Sequence, residues 1–426
     1  MIKERNIKKI AVIGAGPSGL STAYFLRNKS LQVELIESSK TIGGLAQSLN
    51  LWGEQVELGA HFLAYDECEA SKRMIDELFL NGEPILYKRN TYIQTESFQL
   101  FSYPPKFIDI FKNLNLQALL KAGLFYFKAK FNIKLAQNAK EALIGHFGIY
   151  LYKLFFHNYT IKLWGKPCED LDLCFYQTML PFRSKNLRAH IKTKRKRVVY
   201  FQDGIQDLWK RVYNNCLNND VKFRFESHIK LFKKRDYSID IIFEDGSYLN
   251  YDYVISTLPN HQNRKFFSLP HKHNYLYRDL LLVYLKVNQS HLLNGHCLYI
   301  HNTKAQAVRL VDFSHFPGKK NVSNIVLLEY WIDRNTLITC ADEYIVNMAH
   351  KDIEQMKLNI SYEDFFIKRI PNAYRIPELG ITKTLNQEKQ DFDDKLFLSI
   401  GRSNSPFFNY GMDNAIHEAY EVSKKF

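Results

Sequence analysis

The sequence predicts an α/β protein in which one parallel sheet is assembled from separated segments and carries an inserted domain of mixed α+β structure. Residues 9–37 read as a strand, a turn, a helix and a second strand, which is a βαβ unit of about thirty residues. Further strand-like runs follow at residues 251–257 (YDYVIST) and 395–400. The stretches between them mix helical and alternating patterns, as expected of a second domain.

The length of 426 residues allows two or three structural units. We assign residues 1–95, 200–265 and 376–426 to the discontinuous first domain. Residues 96–199 and 266–375 are assigned to the inserted domain. No repeat or disordered linker interrupts these segments.

The opening βαβ unit is the evidence that predicts a parallel sheet. Residues 9–13 (KIAVI) are a short apolar run rich in β-branched side chains, which is typical of a strand buried on both faces. Leu20–Asn28 has helical spacing, and Leu31–Glu37 reads as the second strand. The tight turn Gly14–Gly19 joins the first strand to the helix.

The later elements follow from the same periodicities. Strands are predicted within 85–100 and 221–257, and at 279–287, 297–301, 324–331 and 395–400. The turn Glu244-Asp245-Gly246 predicts a hairpin. Helices are predicted at 106–131, 136–157 and 341–358, and from about Asp413 onwards.

One predicted helix has an unusual composition. Leu116–Phe131 mixes large apolar side chains with Lys121, Lys128 and Lys130. We expect a core helix with a basic rim. The alternative is an interfacial helix that lies on a membrane surface.

The formal net charge of +14 favours anionic partners: phosphates, nucleic acid or an acidic membrane surface. A general enrichment in lysine would explain it equally well. Eight basic residues fall within Arg183–Arg197. The interpretation we favour is a solvated loop. The alternative is a binding site for a nucleotide diphosphate, a lipid-linked phosphate or an anionic membrane. Nucleic-acid binding is not predicted, because no basic element is interleaved with aromatic residues.

Cysteine usage indicates a reducing compartment. None of the six cysteines forms a C-x-x-C pair, so we predict free thiols and no metal site. The N-terminus runs from charged residues directly into a strand, without the apolar stretch of a signal peptide, and no segment approaches twenty uninterrupted apolar residues. The expected location is therefore cytoplasmic. The oligomeric state is left open.

The turn after the first strand matches G-x-G-x-x-G in the strand–turn–helix context that this dinucleotide-binding fingerprint requires. The first glycine permits the turn, the second lets backbone N–H groups approach a pyrophosphate, and the third allows close packing of helix and strand. The helix N-terminus adds a partial positive charge. The cofactor-binding residues predicted here are Gly14, Gly16, Pro17, Ser18 and Gly19.

Glu37 ends the second strand, where a carboxylate accepts hydrogen bonds from ribose hydroxyls and repels a 2′-phosphate. Two further features favour FAD over NAD. A second run of small residues follows Glu37 closely, and Gly401-Arg402 lies between the last strand and the last helix, a distant segment that a simple NAD domain does not need. The added cofactor-binding residues are Glu37, Ser38, Gly43, Gly44, Leu45, Ala46, Gly401 and Arg402.

These motifs resemble the FAD-dependent amine-oxidase and protoporphyrinogen-oxidase-like superfamily, and most closely its bacterial branch related to UDP-galactopyranose mutase. Besides the N-terminal fingerprint, the resemblance rests on three stretches. They are Glu57–Phe62 (ELGAHF), Tyr159–Gly165 (YTIKLWG), and Gly401-Arg402 with Tyr410–Asp413 (YGMD). It extends in order over effectively the whole chain.

The resemblance implies a Rossmann-like FAD domain of the glutathione-reductase-like type. It places Gly59, Ala60 and His61 beside the flavin ring, and Ile229 near the adenine. It also implies that Tyr410, Gly411 and Met412 close over the flavin. His61, Arg309 and Tyr410 are the catalytic candidates, and the substrate-binding candidates are Tyr159, Trp164, Arg183, Arg309 and Asn409.

Each of these roles has a structural alternative. His61 could be a packed structural histidine. Tyr159 and Trp164 could be core residues between helices rather than platforms for a base or a sugar. Arg309 suits a diphosphate because a guanidinium binds two oxygens at once, but a solvated strand arginine is equally compatible with the sequence.

The predicted function is an FAD-dependent oxidoreductase acting on a small molecule, with nucleotide- or lipid-linked sugars of cell-surface glycan biosynthesis as the context implied by the resemblance. One alternative is a UDP-sugar pyranose/furanose mutase that uses reduced FAD. The mutases carry an acid before the methionine of their C-terminal run, whereas this chain has Gly411 there. A second alternative is a flavin-binding partner protein without turnover.

Overall fold

The computed structural model describes residues 8–66, 68–79, 84–131, 135–179, 197–270, 272–317, 323–392, 395–407 and 410–426. Their strands are β1 (Lys9–Ile13), β2 (Gln32–Ile36), β3 (Ser48–Leu51), β4 (Glu54–Glu57), β5 (Leu63–Ala64), β6 (Ile85–Lys88), β7 (Thr91–Gln94), β8 (Leu100–Ser102), β9 (Arg197–Tyr200), β10 (Lys222–Arg224), β11 (Ile229–Lys234), β12 (Ile239–Phe243), β13 (Tyr248–Tyr251), β14 (Tyr253–Ser256), β15 (Tyr277–Val287), β16 (Cys297–Ile300), β17 (Arg309–Asp312), β18 (Ile325–Ile332), β19 (Tyr362–Arg375) and β20 (Phe397–Ser399). The helices are α1 (Pro17–Leu26), α2 (Glu69–Leu78), α3 (Phe107–Asn113), α4 (Leu116–Phe131), α5 (Ala139–Tyr152), α6 (Asn158–Trp164), α7 (Leu173–Met179), α8 (Ile205–Leu217), α9 (Asn260–Phe266), α10 (Arg334–Thr339), α11 (Asp342–Gln355), α12 (Ile381–Phe392) and α13 (Met412–Ser423).

The first sheet is fully parallel, in the order β10–β2–β1–β14–β20. Its strands come from three separated stretches of the chain, and β1 occupies the centre. Ile10, Ala11 and Val12 are completely buried, because helices and a second small sheet cover both faces. The α/β fold class predicted from the sequence is confirmed.

A larger, mixed sheet forms the second layer, in the order β19–β15–β18–β17–β16–β7–β8. Its central strands β15 and β18 are apolar on both faces, since one apolar cluster lies on each side of them. Within this sheet β7 pairs in parallel with β16. The chain therefore enters the second sheet at Thr91, before the predicted boundary at residue 95.

Three smaller sheets complete the architecture: the hairpin β3–β4, the sheet β5–β9–β6 and the antiparallel sheet β11–β12–β13. The predicted hairpin turn at Glu244-Asp245-Gly246 lies between β12 and β13. In the part of the chain that the structure describes, no helix combines the length and apolar character needed to cross a membrane.

The expectation of a core helix at Leu116–Phe131 is wrong. Residues 106–131 form two helices, α3 and α4, and Ala122 is the buried residue of α4. Most of the large apolar side chains of α4 are exposed, Leu120 to 66% and Phe131 to 88%, whereas Leu119 packs on a small apolar cluster. The physical reason is that α4 meets α5 through its backbone at Phe125, so most of its large apolar side chains remain in solvent.

Gly148 makes this close approach of α4 and α5 possible. It lies inside α5 at φ +78°, and a Cβ built on it would come within 2.7 Å of the carbonyl group of Phe125 in α4. Neither the dihedral nor the contact suits a side chain. Gly145, in the same helix, has open space where its Cβ would be.

We therefore expect Gly148→Ala to lower the free energy of unfolding by about 1–3 kcal/mol, because a methyl group there forces the two helices apart. Gly145→Ala is the matched control and should leave stability unchanged or raise it by up to about 1 kcal/mol. Urea denaturation of both variants measures the difference. Equal stabilities of the two variants would contradict this description of the helix contact.

Candidate functional site

The candidate site lies at the carboxyl edge of the parallel sheet, where β1 turns into α1. The turn is held tightly: Gly14 N–H donates to the Ile36 carbonyl at 2.8 Å, and a Cβ at Gly19 would come within 1.8 Å of the Gly14 carbonyl oxygen. At Gly16, the N-cap of α1, a Cβ would meet nothing within 4 Å. The loop is thus packed on its inner side and open at Gly16, as a pyrophosphate cradle requires.

Glu37 lies beside this loop at the end of β2. One carboxylate oxygen accepts from the Ala15 N–H at 2.6 Å, and the other accepts from the Ser39 N–H at 2.8 Å and from the Ser38 hydroxyl at 3.2 Å. The carboxylate therefore stands next to the cradle, where the fingerprint predicts the acidic residue. The side chain is partly buried and is fixed by these backbone donors.

The second glycine segment lies directly against the first. Gly43 N–H donates to the Ala15 carbonyl at 2.8 Å, and a Cβ at Gly44 would lie 3.2 Å from the Gly16 Cα. Small residues at both positions allow this contact between the two loops. Ala46 is buried behind the segment, whereas Leu45 is 37% exposed.

The C-terminal turn returns to the same loop. Gly401 adopts φ +95°, and a Cβ there would lie 3.1 Å from the Ser18 hydroxyl of α1. Glu418 of α13 holds this turn, because its carboxylate accepts from the Gly401 N–H at 2.8 Å and also from the Tyr410 hydroxyl. Gly411 caps α13 and Met412 is its first, buried residue, so both α1 and α13 begin at the carboxyl edge of the sheet.

A third turn, Gly59–His61, is held by two buried residues of the second sheet. The Tyr284 hydroxyl donates to the Glu57 carbonyl at 2.7 Å and accepts from the Gly59 N–H at 3.3 Å. Glu329 accepts from the Ala60 N–H at 3.1 Å. The turn is therefore held by hydrogen bonds to side chains of β15 and β18.

His61 is kept neutral by its surroundings. Burial, together with the positive charges of Arg309 and Arg402, lowers the pKa of its imidazole to about 3. Its Nδ1 atom is buried and has no hydrogen-bond partner among the described residues. The structure thus brings the predicted residues His61, Arg309 and Arg402 together and leaves one polar atom of the imidazole available.

Arg309, at the start of β17, forms an ion pair with Glu329. Its Nε and Nη2 groups lie 2.8 Å and 2.5 Å from one carboxylate oxygen, and Glu329 is only 1% exposed. Sequence reasoning missed Glu329, which links Arg309 to the turn before His61. The available signal was a single acid within the otherwise apolar strand IVLLEYWI, since a buried carboxylate requires a partner.

Two predicted substrate residues have mainly structural environments. Trp164 is completely buried, and its ring meets those of Trp331 and Phe175 edge-on, which is the core-packing alternative. Tyr159 is 7% exposed and stacks on His301 with ring centroids 4.1 Å apart. Trp164 therefore offers no exposed ring face for a ligand.

Lys162, between these two aromatic residues, explains part of the YTIKLWG motif. Its ammonium group donates to the carbonyls of Ile300 and Asn302 at 2.9 Å and 3.0 Å, so it ties α6 to the end of β16. Burial lowers the pKa of this amine to about 7. The sequence singled out the motif but not this contact.

The remaining predicted residues are partly outside the described chain. Ile229 begins β11. Shortly before it, the backbone N–H groups of Glu226 and Ser227 donate to the carbonyls of Ser39 and Glu37 at 3.2 Å and 3.0 Å. This segment therefore passes the Glu37 end of the cradle. Arg183, Asn409 and the basic run up to residue 196 lie outside the described residues.

Sequence comparison agrees with the opening unit. Residues 12–78 match the NAD(P)-binding Rossmann-like domain family. Prenylcysteine oxidase 1 of Bos taurus is 32% identical over 101 residues, which cover 20% of this chain and 20% of that protein. Coproporphyrinogen III oxidase of Staphylococcus aureus (strain NCTC 8325 / PS 47) is 44% identical over 54 residues, 12% of each chain. The chain thus aligns with a fifth or less of the length of these curated relatives.

Structural comparison extends over the whole chain. A reduced UDP-galactopyranose mutase superposes with a TM-score of 0.80 at 18% identity, covering 98% of this chain and 93% of the other. A putrescine oxidase superposes with a TM-score of 0.69 at 13% identity, covering 98% of both chains. These likenesses confirm the fold that the resemblance predicted from the sequence.

The state of His61 makes the stability of the protein depend on pH. The native imidazole stays neutral, whereas the unfolded histidine binds a proton below about pH 6.5, so the unfolded state is favoured as the pH falls. This contribution is complete above about pH 6.5 and is lost progressively towards pH 3. Between pH 7.5 and pH 5, His61→Gln should remove about 1–2 kcal/mol of the decline in unfolding free energy.

Chemical denaturation at several pH values measures this decline. His350→Gln provides the control for replacing a histidine at an exposed position. An unchanged pH dependence in His61→Gln would show that His61 is protonated or exposed in the native protein.

Proposed function

We propose that this chain is an FAD-dependent oxidoreductase in which a hydride passes between a bound small molecule and the flavin. The observation that carries the proposal is the return of the Gly401 turn to Ser18, next to the opening glycine loop. This return places Arg402 close enough to His61 for its charge to lower the pKa of the imidazole. One crevice is therefore bordered by both ends of the chain and by the second sheet, an arrangement that FAD needs and a simple NAD domain does not.

The residues present fit this cofactor. Gly14–Gly19 and the start of α1 would hold the pyrophosphate, since the space beside Gly16 is open. Glu37 would accept from the ribose hydroxyls, and Ile229 would lie near the adenine. The unpartnered Nδ1 of His61 would face the flavin end, together with the turn Gly401-Arg402.

Bound FAD would supply the hydride acceptor or donor, and the protein would position the substrate and exclude water. A neutral His61 acts as a hydrogen-bonding group rather than as a cation. Burial and the adjacent Glu418 carboxylate raise the pKa of Tyr410, so its phenol remains protonated. The charge of Arg309 is balanced by Glu329, and its Nη1 group would bind an oxygen of the substrate.

We propose a nucleotide- or lipid-linked sugar as the substrate class, because Arg309 offers a guanidinium beside the crevice that suits phosphate oxygens. The same residue supports a second candidate, a UDP-sugar pyranose/furanose mutase using reduced FAD. The glycine before Met412 does not favour the mutase, because the mutases carry an acid at that position.

An anaerobic experiment separates the candidates. The purified protein is reduced and then incubated with UDP-hexoses while the flavin spectrum and the sugar products are followed. Product formation coupled to flavin reoxidation identifies an oxidoreductase, and conversion without net oxidation identifies a mutase. A protein that neither takes up FAD nor retains it contradicts the whole proposal. Stoichiometric flavin that no reductant or substrate bleaches would indicate a binding protein without turnover.

The cradle itself can be tested separately. Gly16→Val should weaken FAD binding by at least about tenfold, because the side chain fills the space left for the pyrophosphate. The apoprotein should unfold at the wild-type temperature, since the side chain meets open space in the structure. Gly145→Val, another substitution into open space, should keep full flavin content. Flavin absorbance after reconstitution gives the measurement. If Gly16→Val bound FAD with wild-type affinity, the pyrophosphate would not bind at this loop.

A further inference from the structure

The neighbouring helices α3 and α4 both expose large apolar side chains to solvent. We call this surface the apolar face; it consists of Phe107, Ile108, Phe111, Leu116, Leu120, Leu124, Phe127 and Phe131. Every member is more than half exposed, from 55% at Ile108 to 88% at Phe131. This is the segment for which the sequence left a core helix and an interfacial helix as alternatives.

The arrangement within α4 is that of an interfacial helix. At 3.6 residues per turn, its five members of the apolar face lie within an arc of about 80°. On the same projection Lys121 and Lys128 stand at one edge of this arc and Lys130 at the other, and all three are exposed. The buried Ala122 is on the opposite side, which packs on α5. An apolar stripe with lysines at both edges is typical of helices that lie in a membrane interface.

The concentration of apolar residues is unusual for this protein. Elsewhere in the described chain, large apolar side chains that are more than half exposed are scattered: Leu135, Tyr237, Tyr248, Ile338, Tyr344 and Leu379. Single exposed residues of this kind are ordinary, whereas a contiguous apolar surface marks a site of interaction. The apolar face therefore requires an occupant.

The charge of the segment indicates which occupant fits. Residues 106–131 contain five lysines and one acid, Asp109. The Asp109 carboxylate is already engaged, because it accepts from the backbone N–H groups of Ser102 and Lys106. A second copy of the chain would bring two lysine-flanked faces together and is disfavoured by like-charge repulsion. An anionic lipid surface complements both the apolar stripe and its basic edges.

We propose that the apolar face binds the surface of an anionic bilayer, with α4 lying parallel to the membrane plane and its leucine and phenylalanine side chains inserted among the lipids. The surface also adjoins the candidate site. The rings of Tyr103, just before α3, and Tyr299 pack with their centroids 4.9 Å apart. The Arg309 guanidinium carbon lies 5.9 Å from the centroid of the same Tyr299 ring. Binding would thus hold the inserted domain against the membrane. This inference does not rest on the proposed function.

Vesicle co-sedimentation tests the proposal. The wild-type protein should pellet with phosphatidylcholine vesicles that contain phosphatidylglycerol, and much less with pure phosphatidylcholine. The triple variant Leu120→Gln, Leu124→Gln, Phe127→Gln should bind at least about tenfold more weakly, because the inserted apolar surface is lost. The matched control carries the same number of exposed apolar substitutions elsewhere: Tyr237→Gln, Tyr248→Gln, Ile338→Gln. It should bind like the wild type.

A second triple variant separates charge from apolar contact. Lys121→Gln, Lys128→Gln, Lys130→Gln should lose most of the preference for anionic vesicles, and wild-type binding should weaken as salt is raised. All substituted side chains are exposed, so thermal unfolding should match that of the wild type. If the apolar triple variant unfolds early, Phe131→Gln, at the most exposed member of the face, provides the second measurement and should still weaken binding.

Three results would overturn the proposal: failure of the wild-type protein to bind anionic vesicles, equal binding by the apolar triple variant, or equal loss of binding in the matched control. A fourth would reassign the surface. If light scattering showed a dimer of the wild-type protein that the apolar triple variant abolishes, the occupant would be a second copy of this chain.

Discussion

The structure of the site depends on close contacts at glycines, where a side chain would be crowded or would strain the backbone. Gly19 lies against the Gly14 carbonyl, Gly44 against Gly16, and Gly401 against Ser18. Three segments that are far apart in the sequence therefore meet within a few ångströms at the carboxyl edge of one parallel sheet. A methyl group at the inner positions would separate the opening loop from the helix that follows it, and the crevice between them would lose its shape.

Carboxylates hold the turns that these contacts bring together. Glu37 fixes the opening loop, Glu418 fixes the C-terminal turn, and Glu329 fixes the turn before His61, in each case by accepting a backbone N–H. Charged acceptors form stronger hydrogen bonds than neutral ones, so each turn is positioned before any ligand binds. Glu329 also balances Arg309, which keeps a guanidinium beside a neutral imidazole without an uncompensated buried charge.

Much of the fold could be predicted because its signals are local. The buried strand KIAVI, the glycine fingerprint and the acid at Glu37 specify a βαβ unit through periodicity and turn chemistry alone. The site residues were predicted less completely. Glu329 accepts from the Ala60 N–H although the two residues are more than two hundred positions apart in the sequence. Trp164 and a ligand-stacking tryptophan have the same sequence pattern. A short stretch of sequence therefore predicts neither the contact of Glu329 nor the buried position of Trp164.

The sequence by itself determined the α/β class and the opening βαβ unit with its glycine turn, because glycine spacing and strand periodicity are properties of neighbouring residues. The tertiary structure alone decided which side of α4 faces the protein, that Arg309 is neutralised by Glu329, and that His61 is neutral. These outcomes depend on burial and on charges brought together from distant segments. Burial is a property of the packed molecule, since the same apolar stripe on a helix can face a core or a solvent boundary with equal local stability.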